Sequence, residues 1–304
     1  MKKLDYELPV SEGYVLKGHI WEAEQPKAIV MLCHGMAEHI ARYDDFATFL
    51  ANNNYTVVGY DQRGHGATAG SVENLGYMSD EDNFVALVED LHETNKMVKV
   101  KYPNMKIFLL GHSMGSFVSQ RYIQLYSDTI DGVVLSGSAL NKGLLFKVGY
   151  KLAKSICKKH GRKYHSQLMN NMSFGSYNKK FKPNRTEYDW LSRNEENVDK
   201  YIADPYCGTL FTVSFFMDMI HLFLVMQNEF DKVRKDLPIY IMSGDKDPVG
   251  SMGKATKALA EEYKKNEVKD VELKLYPDGR HEMLNEINRE EVYQNVLNWF
   301  NKHW

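Results

Sequence analysis

Residues 107–115 read Ile-Phe-Leu-Leu-Gly-His-Ser-Met-Gly, and the last five form the pattern G-x-S-x-G with Ser113 at its centre. The apolar run 107–110 predicts a buried strand, and residues 116–126 predict a helix. A strand, a sharp turn and a helix are the context in which this pattern presents a nucleophilic serine. Glycines on either side suit such a turn, because the strained serine backbone leaves room only for small neighbours. Ser113 is therefore the predicted nucleophile, and the alternative is a glycine-rich turn with an incidental serine.

Short apolar segments alternate with helical patterns over most of the chain. Besides 107–110, the predicted strands are 28–33, 55–60, 132–135, 239–242 and 272–276. The predicted helices cover roughly 43–52, 80–101, 116–126, 253–265 and 290–302. This alternation predicts crossover connections and a mostly parallel sheet, with helices on both faces. The segment 14–24 alternates more strictly between apolar and polar residues and predicts part of an antiparallel edge hairpin.

The alternation stops between about Ser138 and Asp236, where no strand is predicted. Residues 132–186 contain twelve Lys and Arg and no Asp or Glu. Because the net charge of the whole chain is −2, the residues outside this segment together carry a net charge of −14. This change of pattern predicts a helical cap inserted into an α/β core. The predicted division is a first core part at 1–137, the cap segment at 138–236 and a second core part at 237–304.

Two loops after later strands supply candidate partners for the serine. Residues 243–248 read Ser-Gly-Asp-Lys-Asp-Pro, and residues 277–282 read Pro-Asp-Gly-Arg-His-Glu. The carboxyl ends of parallel strands meet at one edge of a sheet, so both loops are expected beside Ser113. His281 is the predicted general base, and Asp247 is the predicted acid that orients its ring. Asp245 remains the alternative acid, and a solvated loop residue remains the alternative for His281.

The residues after the first buried strand, His34-Gly35-Met36-Ala37-Glu38-His39, predict an oxyanion hole. The predicted donors are the backbone N–H groups of Met36 and Met114. His34 and His39 also suggest a metal site, but their spacing is not that of a helical zinc pair and no third ligand is near in sequence, so no metal is predicted. The loop 61–66, Asp-Gln-Arg-Gly-His-Gly, is interpreted as a polar turn that supports the site without taking part in the chemistry.

Two features of the cap segment bear on the substrate. Residues 211–226 are dense in Phe, Met and Leu, and side chains of this kind can adapt to acyl chains. The residues predicted to line an acyl site are Phe211, Phe215, Phe216 and Met219, and packing within the cap is the alternative. Residues 144–159 predict a basic amphipathic helix that would contact an anionic membrane surface or steer an anionic substrate. A solvated lysine face is the alternative for this helix.

The bulk composition is that of an ordinary globular protein, with 43% hydrophobic and 26% charged residues. The net charge of −2 gives no indication of nucleic-acid binding. Three cysteines at wide spacing, Cys33, Cys157 and Cys207, argue against a disulfide framework and favour a reducing compartment. No apolar signal-peptide core follows Lys2 and Lys3, and no run is long enough to span a membrane. The expectation is a soluble cytoplasmic protein without a cofactor.

Taken together, the motifs resemble those of monoacylglycerol lipases and of bacterial lysophospholipase-like α/β hydrolases. The matching stretches are His34–His39 with Arg42-Tyr43, Asp61–Gly66, Gly111–Gly115, Gly279–Glu282, and the cap stretches Thr186–Arg193 and Ala203–Gly208. The resemblance implies the α/β-hydrolase fold and a cofactor-free hydrolase with a mobile lid over an acyl pocket. Position by position it also implies the roles given above to Ser113, Asp247, His281 and the N–H groups of Met36 and Met114.

The function predicted from these residues is hydrolysis of a carboxylic ester through an acyl-enzyme. The expected substrate is a single-chain lipid ester such as a monoacylglycerol or a lysophospholipid. An esterase for small or aromatic acyl groups, and a thioesterase or acyltransferase with the same triad, are the alternative enzymes. A non-catalytic binding protein that keeps the fold is the alternative from another class.

Overall fold

Eight strands form a single sheet in the computed structural model, which describes residues 1–304. In chain order they are β1 (Lys2–Pro9), β2 (Val15–Glu22), β3 (Ala28–Cys33), β4 (Tyr55–Tyr60), β5 (Lys106–His112), β6 (Gly132–Ser136), β7 (Ile239–Gly244) and β8 (Val271–Tyr276). Across the sheet their order is β1-β2-β4-β3-β5-β6-β7-β8. The strands β3 to β8 pair in parallel, whereas β1 with β2 and β2 with β4 pair antiparallel. The predicted parallel sheet and the antiparallel edge are both confirmed.

Nine α-helices accompany the sheet. They are α1 (Asp44–Asn52), α2 (Asn83–Lys101), α3 (Met114–Tyr126), α4 (Leu144–His160), α5 (Gln167–Phe174), α6 (Glu195–Ala203), α7 (Val213–Met226), α8 (Lys254–Lys265) and α9 (Arg289–His303). The helix α2 begins later than the predicted residue 80, because the side chain of Asp82 caps it by accepting the N–H groups of Phe84 and Val85.

Strand β3 shows why the central strands are apolar throughout. All six of its residues are buried. Side chains alternate between the faces of a strand, so Ile29 and Met31 join one hydrophobic core while Val30 and Leu32 join the other. The two cores cover opposite faces of the sheet, as expected for parallel strands with helices on both sides.

The chain between β6 and β7 adds no strand to the sheet and contains α4, α5, α6 and α7. Of these helices, α7 is the most deeply packed, and nine of its fourteen residues are buried. Only Ala153 is fully buried in α4. The treatment of residues 138–236 as a cap that is distinct from the core stays a prediction.

None of the helices combines the length and the apolar character that crossing a lipid bilayer requires.

Candidate active site

Ser113 lies in the turn between β5 and α3, with backbone angles φ 51° and ψ −117°. A positive φ at a residue other than glycine marks local strain, which is common where a side chain is held for chemistry. The backbone N–H of Ser113 donates to the carbonyl of Ser136 at 2.9 Å, which ties the turn to the neighbouring strand β6. The turn therefore holds Ser113 in one orientation.

The two glycines of the motif are required by close packing. A methyl group on Gly115 would lie 2.1 Å from the carbonyl oxygen of Cys33, and one on Gly111 would lie 2.4 Å from the carbonyl oxygen of Gly115. Neither contact is sterically possible without movement of the backbone. The first of them also shows that the start of α3 lies directly against the end of β3.

His281 is paired with Asp247. The Nδ1 atom of His281 lies 3.0 Å from both carboxylate oxygens of Asp247. The side chains are 3% and 0% exposed, respectively. The Ser243 hydroxyl and the Val249 N–H each donate to the Asp247 carboxylate at 2.8 Å. Because Nδ1 of His281 is bonded to Asp247, the other ring nitrogen, Nε2, is available to accept a proton on the side of the substrate.

The alternative acid, Asp245, lies elsewhere in the same loop. Its carboxylate accepts the N–H of Asp278 at 2.9 Å and is 3.4 Å from the Lys246 ammonium. It makes no contact with His281. The structure therefore pairs the histidine with Asp247.

The electrostatics of the pair favour ionised Asp247. Burial acts to raise the pKa of Asp247, but His281 and the hydroxyl and N–H donors outweigh it, so that the pKa lies below its ordinary value. Burial acts to lower the pKa of His281, but the Asp247 carboxylate outweighs it and the pKa is raised. The imidazole is thus made a stronger base, as a group that accepts a serine proton requires.

The predicted oxyanion donors are both near the serine. Gly35, Met36, Ser113 and Met114 all line the same cavity as His281. The N–H of Met36 has no hydrogen-bond partner in the protein. Met114 is the first residue of α3, so no helical carbonyl is available to its N–H either. Two unpaired N–H groups in one cavity with Ser113 are what an oxyanion hole needs.

The cavity has a volume of about 850 Å³ and extends from Ser113 and His281 into the cap segment. Part of its wall is apolar, and this part comprises Phe117, Leu145, Phe146, Val148, Leu152, Met219, Ile220 and Phe223. Polar side chains, among them Asn170, Asn178 and Glu187, form another part. Such a volume is typical of a site for a small organic ligand.

Of the four residues predicted to line an acyl site, one lines the cavity and three do not. Met219 lines the cavity. Phe211, Phe215 and Phe216 are 0% exposed and belong to the hydrophobic core instead. The prediction was wrong for these three because they pack inward, as the Phe84–Phe215 contact of α2 with α7 shows, at 5.5 Å between ring centroids.

Comparison with known proteins identifies the family of the chain. The profile of the family described as "Serine aminopeptidase, S33" matches residues 24–288. The chain belongs to this family. This chain is 28% identical to a monoglyceride lipase of Mus musculus over 293 residues, which cover 96% of this chain and 87% of the mouse protein. It is also 28% identical to a monoacylglycerol lipase of Mycolicibacterium smegmatis over 298 residues, which cover 93% and 92% of the two chains.

Among solved structures, a thermostable carboxyl esterase from Bacillus coagulans superposes on this protein with a TM-score of 0.93. The two are 24% identical, and the match covers 100% of this chain and 99% of the esterase. At this identity the likeness concerns the fold. The family and the fold together make the chain an α/β hydrolase.

A buried ion network beneath the predicted oxyanion loop was missed by sequence reasoning. The Arg42 guanidinium donates to Glu38 at 2.6 Å and to both oxygens of Glu282 at 2.7 Å. Glu38 in turn accepts the N–H of Gly35 at 2.6 Å, and Glu282 accepts the side-chain amide of Asn197 at 2.8 Å. The network joins the residue before Met36, the residue after His281, and helix α6 of the cap segment.

The Arg42 guanidinium lowers the pKa of both carboxyl groups of this network, Glu38 and Glu282, against the effect of burial. Burial acts to raise the pKa of Glu282, but the Arg42 guanidinium lowers it to about 2. Both carboxylates therefore stay ionised. Glu38 accepts the Gly35 N–H of the loop, and Glu282 is linked to Glu38 through Arg42. Glu38, Arg42 and Glu282 all stand in stretches that were quoted for the family resemblance, but their sequence separation of up to 244 residues hid the contact.

Two aromatic rings flank His281. The ring of His112 lies 4.8 Å from it, and the indole of Trp190, from the cap segment, lies 5.2 Å away. Burial, reinforced by the nearby His281, lowers the pKa of His112 to about 4. His112 therefore stays neutral at physiological pH and adds no competing charge beside the base.

The two histidines considered for a metal site have different partners. His34 is buried, its Nε2 atom accepts the N–H of Gln62 at 2.9 Å, and its Nδ1 atom is 2.7 Å from the Gly35 carbonyl. His39 instead contacts Asp204 of the cap segment at 2.8 Å. The loop at 61–66 is tied to its surroundings by the Asp61 carboxylate, which accepts the N–H groups of Ile40 and Ala67. Its role as a support that takes no part in the chemistry stays a prediction.

Proposed function

We propose that this α/β hydrolase cleaves carboxylic esters through an acyl-enzyme on Ser113. The observation that carries the proposal is the buried Asp247–His281 pair, whose histidine lines the same cavity as a serine held in a strained turn. His281 takes the serine proton while Ser113 attacks the ester carbonyl. The tetrahedral oxyanion is held by the N–H groups of Met36 and Met114, each worth about 3–4 kcal/mol of transition-state stabilisation.

Collapse of this intermediate breaks the ester bond, and the leaving alcohol receives its proton from His281. A water molecule, deprotonated by His281, then attacks the acyl-serine and releases the acid. Asp247 stays ionised throughout and stabilises the imidazolium that forms in each half of the reaction.

The substrate we infer is a single-chain lipid ester, such as a monoacylglycerol or a lysophospholipid. Its acyl chain would lie along the apolar wall between α3, α4 and α7, where Phe117, Leu152 and Phe223 line the cavity. Its polar head group would lie toward Asn170, Asn178 and Glu187. The relatives named as monoglyceride and monoacylglycerol lipases support this choice.

The test is hydrolysis of p-nitrophenyl esters from acetate to palmitate, together with monoacylglycerol and lysophospholipid, by the wild type and by Ser113→Ala. We expect turnover with an optimum at medium or long chains, and its loss in Ser113→Ala. Ser173→Ala is the matched control, because Ser173 also lines the cavity but lies outside the turn. An optimum at acetate or an aromatic acyl group would favour the small-ester alternative, and thioester preference would favour a thioesterase. Turnover that survives in Ser113→Ala would overturn the mechanism.

We further propose that α4 brings the cavity into contact with an anionic membrane surface. Leu144, Leu145 and Val148 of α4 are 73%, 78% and 58% exposed, and Met172 of α5 is 57% exposed. Leu145, Val148 and Met172 also line the cavity, so the exposed apolar patch surrounds its mouth. The lysines along α4 are all exposed and lie next to this patch; they are Lys147, Lys151, Lys154, Lys158 and Lys159. A helix of this kind lies in the plane of a membrane interface.

Vesicle sedimentation tests the membrane contact. We expect binding to anionic vesicles at low salt to exceed binding to neutral vesicles, and to fall when Lys151, Lys154 and Lys158 are changed to Gln. The control carries the same change at Lys254, Lys257 and Lys264 of α8. Equal binding to both kinds of vesicle would mean that α4 presents a solvated lysine face only.

A further inference from the structure

Three side chains of metal-ligating type converge beside the predicted oxyanion loop. They are His39, Asp204 and Cys207, and their ligand atoms all lie within 4.8 Å of one another. His39 Nε2 is 2.8 Å from Asp204 Oδ2, and Cys207 is a free thiol. The proposed hydrolysis uses none of the three.

The donor set is one nitrogen, one oxygen and one sulfur. This combination suits zinc and its heavier analogue cadmium rather than magnesium or calcium, which prefer oxygen ligands alone. In a tetrahedral zinc site the ligand atoms are about 3.4–3.6 Å apart. The 2.8 Å contact between His39 and Asp204 therefore has to open slightly when a cation binds. His39 and Asp204 are 17% and 30% exposed, which leaves an approach for a cation and for a water as fourth ligand.

The surrounding charge favours a cation. The charged groups that act on the Cys207 thiol are the carboxylates of Asp204, Glu38 and Glu282 and the guanidinium of Arg42. Counted together these four groups carry a charge of −2, which favours a cation, whereas Arg42, the strongest single charge acting on the thiol, opposes one.

A second cluster of similar composition is already paired with a cationic side chain. Asp270, Glu272 and His303 also bring their ligand atoms within 4.8 Å of one another. There, however, the Lys302 ammonium lies 2.6 Å from Glu272 and 3.8 Å from Asp270. The lysine occupies both carboxylates, and the cluster offers no thiol.

We propose that His39, Asp204 and Cys207 form a binding site for one thiophilic divalent cation, Zn²⁺ or Cd²⁺. His39 follows Met36 by three residues, while Asp204 and Cys207 belong to the cap segment. The two chain segments already touch, since the Gly208 N–H donates to the Ala37 carbonyl at 3.0 Å. A bound cation would therefore fasten the 204–208 turn of the cap segment to the loop that supplies the Met36 N–H.

The test is titration of metal-free protein with Cd²⁺, followed by the ultraviolet charge-transfer band of a cadmium–thiolate bond and by isothermal calorimetry. We expect one Cd²⁺ per chain in the wild type, and a rise in melting temperature because the cation binds the folded state. In Cys207→Ser the band should disappear, and in His39→Gln the affinity should fall at least about tenfold, since even outer-shell changes at metal sites cost 10–100-fold. Mg²⁺ and Ca²⁺ should not displace Cd²⁺.

Cys157→Ser is the matched control, because Cys157 is the other partly exposed thiol and lies in α4. It should keep the full band. Ser113→Ala should bind Cd²⁺ as the wild type does, so that the cation site is tested independently of hydrolysis. A band that persists in Cys207→Ser, or that is lost only in Cys157→Ser, would overturn the proposal. Unchanged affinity in a folded His39→Gln variant would do the same.

Discussion

The cavity has two walls that are built in opposite ways. The wall at the strand ends holds His281, which is 3% exposed and is bonded to the fully buried Asp247. The wall formed by α4 holds Leu145 and Val148, which are 78% and 58% exposed. The first wall is fixed by close packing and hydrogen bonds, whereas in the second only Ala153 of α4 is fully buried. This difference matches a division between a rigid site for chemistry and an adaptable surface for a lipid substrate.

The largest effect is expected at the acid. Asp247→Asn should reduce kcat about 10³–10⁴-fold, because an amide can neither fix the His281 tautomer nor stabilise the imidazolium. Steady-state hydrolysis of the best p-nitrophenyl ester measures it, with circular dichroism to confirm folding. Asp245→Asn is the control and should keep nearly full activity. Comparable losses in both variants would mean that the loop as a whole matters rather than the Asp247–His281 bond.

Two glycine substitutions compare the walls directly. Gly115→Ala places a methyl group 2.1 Å from the Cys33 carbonyl, so the serine turn must shift and activity should fall on the order of 10²-fold or more. In Gly149→Ala of α4, the methyl group would lie 3.4 Å from Ile220 Cδ1 and make no closer contact. That variant should stay active and gain about 0.5–1 kcal/mol of stability from helix propensity.

Activity assays and thermal melts of both variants check this expectation. If Gly149→Ala lost as much activity as Gly115→Ala, the α4 wall would be as constrained as the strand-end wall, and the comparison would not hold.

Removing the buried guanidinium should show how firmly the strand-end wall is held. Arg42→Met leaves Glu38 and Glu282 buried without their partner. Such a change typically lowers the free energy of unfolding by about 3–5 kcal/mol. Denaturant unfolding measures the loss. Arg185→Met in the cap segment removes an exposed ion pair with Asp199, 2.6 Å long, and should leave the melting temperature unchanged. Similar losses in the two variants would contradict the assigned difference in burial.

The pH dependence should be the most subtle effect. His281 must be neutral to accept the serine proton, and its pKa is raised above the ordinary 6.5 because Asp247 outweighs the effect of burial. The acid limb of kcat/KM should therefore lie above pH 6.5 in the wild type and move to lower pH in Asp247→Asn. His112, with a pKa of about 4, should contribute nothing to this limb, so His112→Gln should leave its midpoint in place. A wild-type limb near pH 4 would identify a different base.

The fold was largely predictable because most of its strands and helices can be recognised from short stretches of consecutive residues. The strands β3 and β4 coincide with the predicted segments 28–33 and 55–60, since buried parallel strands are apolar at every position. Strand β1 was not predicted, because it lies exposed at the sheet edge and only alternate residues such as Leu4 and Tyr6 face the protein. The elbow at Ser113 was predictable because the G-x-S-x-G pattern and the strand and helix that flank it are contiguous in sequence, although the contact that excludes a side chain at Gly115 comes from Cys33 of β3.

What could not be predicted depends on contacts between distant segments. The residues Asp245 and Asp247 stand two positions apart in one loop, and only the fold shows which of them meets His281. Likewise, density in Phe and Met indicates burial but not whether a side chain faces the core or a cavity, so Phe211, Phe215 and Phe216 were misassigned. The cluster of His39 with Asp204 was invisible because 165 residues separate the two in sequence.

The most direct test of the central claim is to map the adduct of a fluorophosphonate probe by peptide mass spectrometry. The proposed mechanism predicts a single adduct on Ser113, absent from Ser113→Ala, and formed at least about a hundredfold more slowly in His281→Ala, since a general base contributes 10²–10⁴-fold. An adduct on another residue, or equal labelling rates in the wild type and His281→Ala, would contradict the assignment of Ser113 as a nucleophile activated by the His281–Asp247 pair.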